Sequence, residues 1–189
     1  MSRETPMQSW KQISRRIRVP LGFLFLLLYF WLARPTPRSL LESLVLVMPG
    51  IFLRSYASGY VKKNAELTTS GPYAHTRNPL YLGSILIAFG FALAARSVWI
   101  TLALLILFIA IYWPVILSEE EYLREHFSGF DDYATRVPRL LPRLRALSGN
   151  ADGKFSLELY RKHREYNSLL GSLCVYAALV ALLLVRHGR

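Results

Sequence analysis

Cysteine is almost missing. Cys174 is the single one in 189 residues, so neither an intramolecular disulfide nor a cysteine-built metal cluster is available. Acid is scarce too: 12 Asp and Glu face 23 Lys and Arg, a net charge of +11. The histidines, His75, His126, His163 and His187, show no metal-ligand spacing, and no Gly-x-Ser-x-Gly, Walker or Gly-x-Gly-x-x-Gly pattern occurs. The absences leave no support for a metal site or for the usual soluble nucleotide folds. What is abundant is apolar surface, 53% of residues. It is gathered into long blocks with the charge between them, which excludes a disordered basic tail and argues against a soluble nucleic-acid binder.

Five blocks stand out: Val19 to Ala33, Leu40 to Tyr60, Leu80 to Ala95, Val98 to Leu117 and Leu169 to Val185. Crossing about 30 Å of hydrocarbon takes roughly 20 helical residues. The chain is therefore expected to be an all-α integral membrane bundle of about five transmembrane helices. The first block reads as an uncleaved signal anchor, because Trp31-Leu32-Ala33-Arg34 offers no small-x-small cleavage pattern. Its shortness is offset by snorkelling of Arg18 and Arg34. Pro49-Gly50 is expected to kink the second block, and Arg96-Ser97 to close a tight hairpin between the third and fourth. Most of the 23 cations fall in the segments before the first block, between the second and third, and between the fourth and fifth. By the positive-inside rule the N-terminus is cytoplasmic and the C-terminus lies on the opposite side. Topology and anionic membrane lipids account for the net charge without nucleic acid.

Two of the connecting segments are richer in polar and aromatic residues than simple connectors. In the first, Lys62 to Gly83, Gly71-Pro72 makes a turn, and Asn78-Pro79 reads as a helix start with Asn78 as side-chain cap. Arg77 and Tyr81, four apart, can share one side of that turn, and a helix N-terminus beside Arg77 suits an anionic group. Plain capping with interfacial anchoring explains the same residues. In the second, Ser118 with Glu121 fits a capping box, which would place Glu119, Glu120 and Glu121 in a first turn. Leu123, Phe127 and Phe130 form an apolar face suited to packing.

Together the segments resemble the integral-membrane methyltransferases of the isoprenylcysteine carboxyl methyltransferase and phospholipid methyltransferase type. Gly71-Pro72-Tyr73 followed by Arg77-Asn78-Pro79-Leu80-Tyr81-Leu82-Gly83 resembles the family's Gly-Pro-Tyr and Arg-His-Pro-x-Tyr-x-Gly motif. Glu119-Glu120 with Leu123, Phe127, Tyr133 and Val137-Pro138-Arg139 resembles its Glu-Glu-x-x-Leu and Val-Pro-Arg elements. Asn78 stands where the family commonly has His, and Val115 where the prenylcysteine enzymes have an Arg. The resemblance implies a cytoplasmic cofactor pocket made by the two segments, with S-adenosylmethionine as cofactor and no metal. It nominates Glu66, Leu67, Thr68, Tyr73, Arg77, Asn78, Pro79, Leu80, Tyr81, Glu119 and Glu120 as contacts, and singles out no catalytic base. It also implies a lipophilic or lipidated acceptor. Residues 1–143 would form the methyltransferase core, with cofactor motifs over 62–83 and 118–143. Residues 144–189 would add an amphipathic interfacial helix (Phe155 to Asn167) and the fifth membrane helix. A membrane reductase of the sterol reductase type, using a nicotinamide dinucleotide, and a non-catalytic membrane protein are the alternatives.

Overall fold

The computed structural model describes residues 22, 24–62, 65–146 and 153–187, and among them the chain is helical without strands. In chain order the helices are α1 over residues 24–32, α2 (Pro37–Ser58), a 3₁₀ turn (Gly71–Ala74), α3 (Pro79–Ala95), α4 (Val98–Leu107), α5 (Trp113–His126), α6 (Phe130–Arg136), α7 (Leu157–Lys162) and α8 (Tyr166–His187). A π-helical turn, Phe108–Tyr112, joins α4 to α5 without interruption. Such wide turns keep the ladder closed while rotating the helix faces on either side.

Three helices are long and apolar enough to cross a membrane: Pro37–Ser58, the continuous Val98–His126 and Tyr166–Arg186. α3 is apolar over 17 residues, shorter than the length of a straight span. The beginning of the first apolar block lies outside the described residues, as does the basic segment before it. The structure thus supports a membrane protein with three span-length helices; the other two blocks of the expected five do not reach that length among the described residues.

α2 and α3 form the centre. Thr36 and Ser39 cap the start of α2 reciprocally, with Pro37 at the first helical position. α2 then runs on through Pro49 to Ser58 as one helix. Its Gly50 lies against α3 so closely that a Cβ there would stand 2.8 Å from the Gly83 carbonyl oxygen and 2.8 Å from Ile87 Cγ1. Small residues are what allow two backbones to approach in this way. Tyr29, Ala33, Val47, Phe91, Ile100 and Leu179 build the buried apolar cluster where α1, α2, α3, α4 and α8 meet. Polar ties fix the first connection: Tyr29 donates to the Phe91 carbonyl at 2.9 Å and Ser39 to the Ala94 carbonyl at 2.9 Å. The expected α3–α4 hairpin is present, closed by Arg96 in the left-handed region at φ 51°.

Two local expectations are corrected. Ser118 starts no helix: it lies inside α5 and donates to the Val115 carbonyl at 3.0 Å, so Glu119, Glu120 and Glu121 stand mid-helix. The apolar fourth block simply continues into a polar stretch without a break. Likewise Phe155 to Asn167 is not one interfacial helix. Phe155 precedes α7, a turn at 163–165 follows with Arg164 at φ 54°, and Tyr166 already belongs to α8.

Candidate functional site

The two motif segments meet at one end of the bundle, and a buried carboxylate joins them. Glu120 is 3% exposed. It accepts from Arg139 Nε at 3.0 Å and Nη2 at 2.9 Å, and from Asn78 Nδ2 at 3.1 Å, while Arg77 Nη1 stands 3.4 Å away. A forked guanidinium on a carboxylate is among the stronger charge-assisted contacts. The hydrogen bond to Glu120 raises the Arg139 pKa above its ordinary range. The Arg77 pKa is lowered, first by burial and then by Arg139, against the attraction of Glu120. Two cations therefore compete for one anion, and Arg139 has the better geometry. Arg77 Nε is the one buried side-chain polar atom without a hydrogen-bond partner among the described residues.

Asn78 occupies the start of α3, but its side chain does not cap it. Its amide donates instead to Glu120 and to the Arg139 carbonyl at 3.1 Å. The expectation of a side-chain cap is thereby overturned: a cap would need the Asn78 Oδ1 to accept from the first turn of α3, and the amide is instead held through its Nδ2 on Glu120 and the Arg139 carbonyl. Backbone contacts complete the junction. Arg77 N donates to the Pro138 carbonyl at 2.9 Å, Arg143 N to the His75 carbonyl at 3.0 Å, and the Thr76 hydroxyl to the Arg139 carbonyl at 3.1 Å. Beneath it Phe130, Tyr133 and Val137 are buried with Leu67 and Leu123 against them. The Tyr133 hydroxyl donates to the Tyr73 carbonyl at 2.7 Å. Burial raises both phenols above the ordinary tyrosine range and keeps them neutral.

One residue along α5 the environment changes. Glu119 is exposed and accepts from the Tyr81 hydroxyl at 2.9 Å. Tyr81 also packs edge-on to Tyr112, ring centroids 6.1 Å apart. The arrangement therefore holds an accessible carboxylate beside an aromatic pair, next to one that is saturated.

The nominated residues divide accordingly. Arg77 and Asn78 come together with Glu120, and Tyr81 comes together with Glu119. Leu67 and Tyr73 lie in the layer below, Pro79 is buried at the start of α3, and the Leu80 carbonyl accepts from Arg54 at 3.3 Å. Glu66 pairs with Lys62 at the surface, and the Thr68 hydroxyl accepts from the Lys62 amide. A cavity of about 420 Å³ lies between the segments, lined by Leu67, Thr69, Phe127, Gly129, Tyr133 and Arg136 among others. That size falls in the range of small-ligand sites, roughly 300–1,000 Å³. Tyr81 and Glu119 do not line it.

Sequence reasoning passed over Arg139 as a site residue, although Val137-Pro138-Arg139 was in view. It also gave no role to Arg54, whose signal was a lone cation inside an apolar block. Arg54 forks onto Glu165 at 2.9 and 3.0 Å from Nη2, and binds Ser84.

No solved structure matches the chain. Among curated proteins it is similar to the nickel-cobalt-cadmium resistance protein NccN of Alcaligenes xylosoxydans xylosoxydans, 39% identical over 47% of this chain and 41% of that one. It is also similar to the cobalt-zinc-cadmium resistance protein CzcN of Cupriavidus metallidurans, 38% identical over 51% of this chain and 44% of that one. The alignments thus span less than half the length of these relatives. The phospholipid methyltransferase family matches over residues 17–129, more than half of the chain. The chain belongs to the phospholipid methyltransferase family.

Proposed function

We propose that the protein transfers a methyl group from S-adenosylmethionine to a lipophilic acceptor in the membrane, with the cofactor held where the two motif segments meet. The observation that carries this reading is the Glu119–Tyr81 contact at 2.9 Å beside the saturated Glu120. An accessible carboxylate with an aromatic neighbour suits a ribose diol or a cationic amine, and the orphaned Arg77 Nε suits a carboxylate. The residues present fit the cofactor in that chemical sense.

In this reading Glu119 and Tyr81 bind and orient, and Leu67 and Tyr73 support an apolar wall. Glu120, Asn78 and Arg139 keep the two segments in register, acting through their neighbours. When bound, S-adenosylmethionine supplies an electrophilic methyl group. The protein's own contribution is alignment and exclusion of water, which suits a pocket at the end of a membrane bundle. The charge asymmetry supports five spans with the N-terminus and both segments cytoplasmic and the C-terminus opposite. The partners proposed are the acceptor, lipophilic or lipidated, and membrane lipids.

The test is incubation of the purified protein in detergent with methyl-labelled S-adenosylmethionine and a total membrane lipid extract. Label is expected in the organic phase, and at least ten-fold less with Glu119→Ala, the loss of about 1.4 kcal/mol of binding. Absence of transfer to lipid, quinone, amine and prenylcysteine acceptors alike would overturn the reading.

A further inference from the structure

A second cavity, of about 380 Å³, lies away from the Glu119–Tyr81 contact, between α2, α3 and the turn that leads into α8. Its walls are of two kinds. Ile87 and Ala88 of α3 are apolar, whereas Arg54, Ser84, Arg164 and Glu165 are polar or charged. Leu169, Leu170 and Leu173, in the turns of α8 that follow the lining residue Ser168, are all exposed. On a helix of span length such side chains face lipid.

The charges do not cancel. Arg54 is fully engaged: Nε and Nη2 are on Glu165, and Nη1 is on the Leu80 carbonyl and Ser84. The Glu165 side chain is 12% exposed and that of Arg54 25%, so this pair is half-buried. Arg164 is different. It is exposed, it lines the same cavity, and its guanidinium has no hydrogen bond or ion pair among the described residues. Its backbone lies in the left-handed region at φ 54°, which a residue with a Cβ adopts rarely. The Arg54–Glu165 fork anchors the adjacent residue and so fixes where Arg164 stands. The cavity is left with one uncompensated positive charge at its polar end and an apolar wall leading to lipid.

We propose that this cavity binds the anionic head group of a membrane amphiphile, with the Arg164 guanidinium contacting the anion and the acyl chain lying along α3 and α8. The occupant is chosen by charge complementarity and by continuity with the lipid-facing surface. The inference does not depend on the methyl-transfer reading.

The experiment is native mass spectrometry of the purified full chain in detergent, titrated with phosphatidylglycerol or with phosphatidylcholine of the same acyl chains. One phosphatidylglycerol is expected to be retained in preference, roughly ten-fold less tightly in Arg164→Ala, as loss of one charge-assisted contact predicts. Arg164→Lys keeps the preference. Arg164→Gly, which accepts the left-handed backbone without strain, loses it and separates the charge from the turn geometry. Arg161→Ala, exposed and outside the cavity, leaves binding unchanged. Equal retention of both lipids, or an unaltered preference in Arg164→Ala and Arg164→Gly, would overturn the proposal. Displacement of the lipid by equimolar inorganic phosphate would also overturn it, since the ligand would then be the anion and not the amphiphile.

Discussion

Two carboxylates, the buried Glu120 and the half-buried Glu165, each take an arginine fork from another part of the chain, yet what surrounds them differs. Glu120 draws Arg139, Arg77 and Asn78 onto itself, so its own charge is spent within the cluster. Glu165 holds Arg54 alone, and next to that pair a cavity stays open with Arg164 unmatched on its wall. The first arrangement is scaffolding that joins the two motif segments. The second ties α8 to the core and leaves a charge for something else. A carboxylate–arginine contact is therefore not a function by itself; what decides is whether the cluster's charge and hydrogen bonds are already used.

The comparison breaks most visibly at Glu120. Removing one partner of a buried pair strands the other, a loss of about 3–5 kcal/mol. Glu120→Ala is expected near the lower end of that range, because the Arg139 side chain is 33% exposed. Thermal unfolding in detergent measures it, and a change below 1 kcal/mol, on the order of an ordinary surface substitution, would deny the clamp. Glu165→Gln should lose less, about 1–3 kcal/mol, since Arg54 keeps Ser84 and the Leu80 carbonyl. Its sharper signature is earlier proteolysis in the 153–165 stretch. Gly50→Val tests the layer on which both clusters rest. A Cβ would meet the Gly83 carbonyl at 2.8 Å, and overpacking of this kind costs about 1–3 kcal/mol.

The smallest effect at ordinary pH concerns Tyr73 and Tyr133. Burial raises both phenols above 10.0, so folding favours their protonated forms. That contribution is fully present below pH 10.0 and is lost above it, where the unfolded chain ionises and the folded chain does not. Stability should fall beyond pH 10.0, and Tyr133→Phe should flatten the decline.

The helices were legible because long apolar runs bounded by cations have few other readings, and the Arg96-Ser97 hairpin followed from the break between two such runs. The pairing of the two motif segments was legible through the family resemblance. Other features were not. A shift from apolar to acidic residues at Ser118 looks the same whether a helix starts there or continues. Glu119 and Glu120 are neighbours in sequence, and only their placement about the helix axis, about 100° apart, sends one to solvent and the other to Arg139. Arg54 and Glu165 are 111 positions apart, and no local pattern links them.

The central claim is that Glu119 and Tyr81 belong to a cofactor site while Glu120 is scaffold. Calorimetric titration of the purified protein with S-adenosylhomocysteine tests it most directly. Micromolar binding is predicted, abolished in Glu119→Ala and Tyr81→Ala while their unfolding temperatures stay close to that of the parent protein. Saturable binding of NADPH in its place, or undiminished S-adenosylhomocysteine binding in Glu119→Ala, would contradict it.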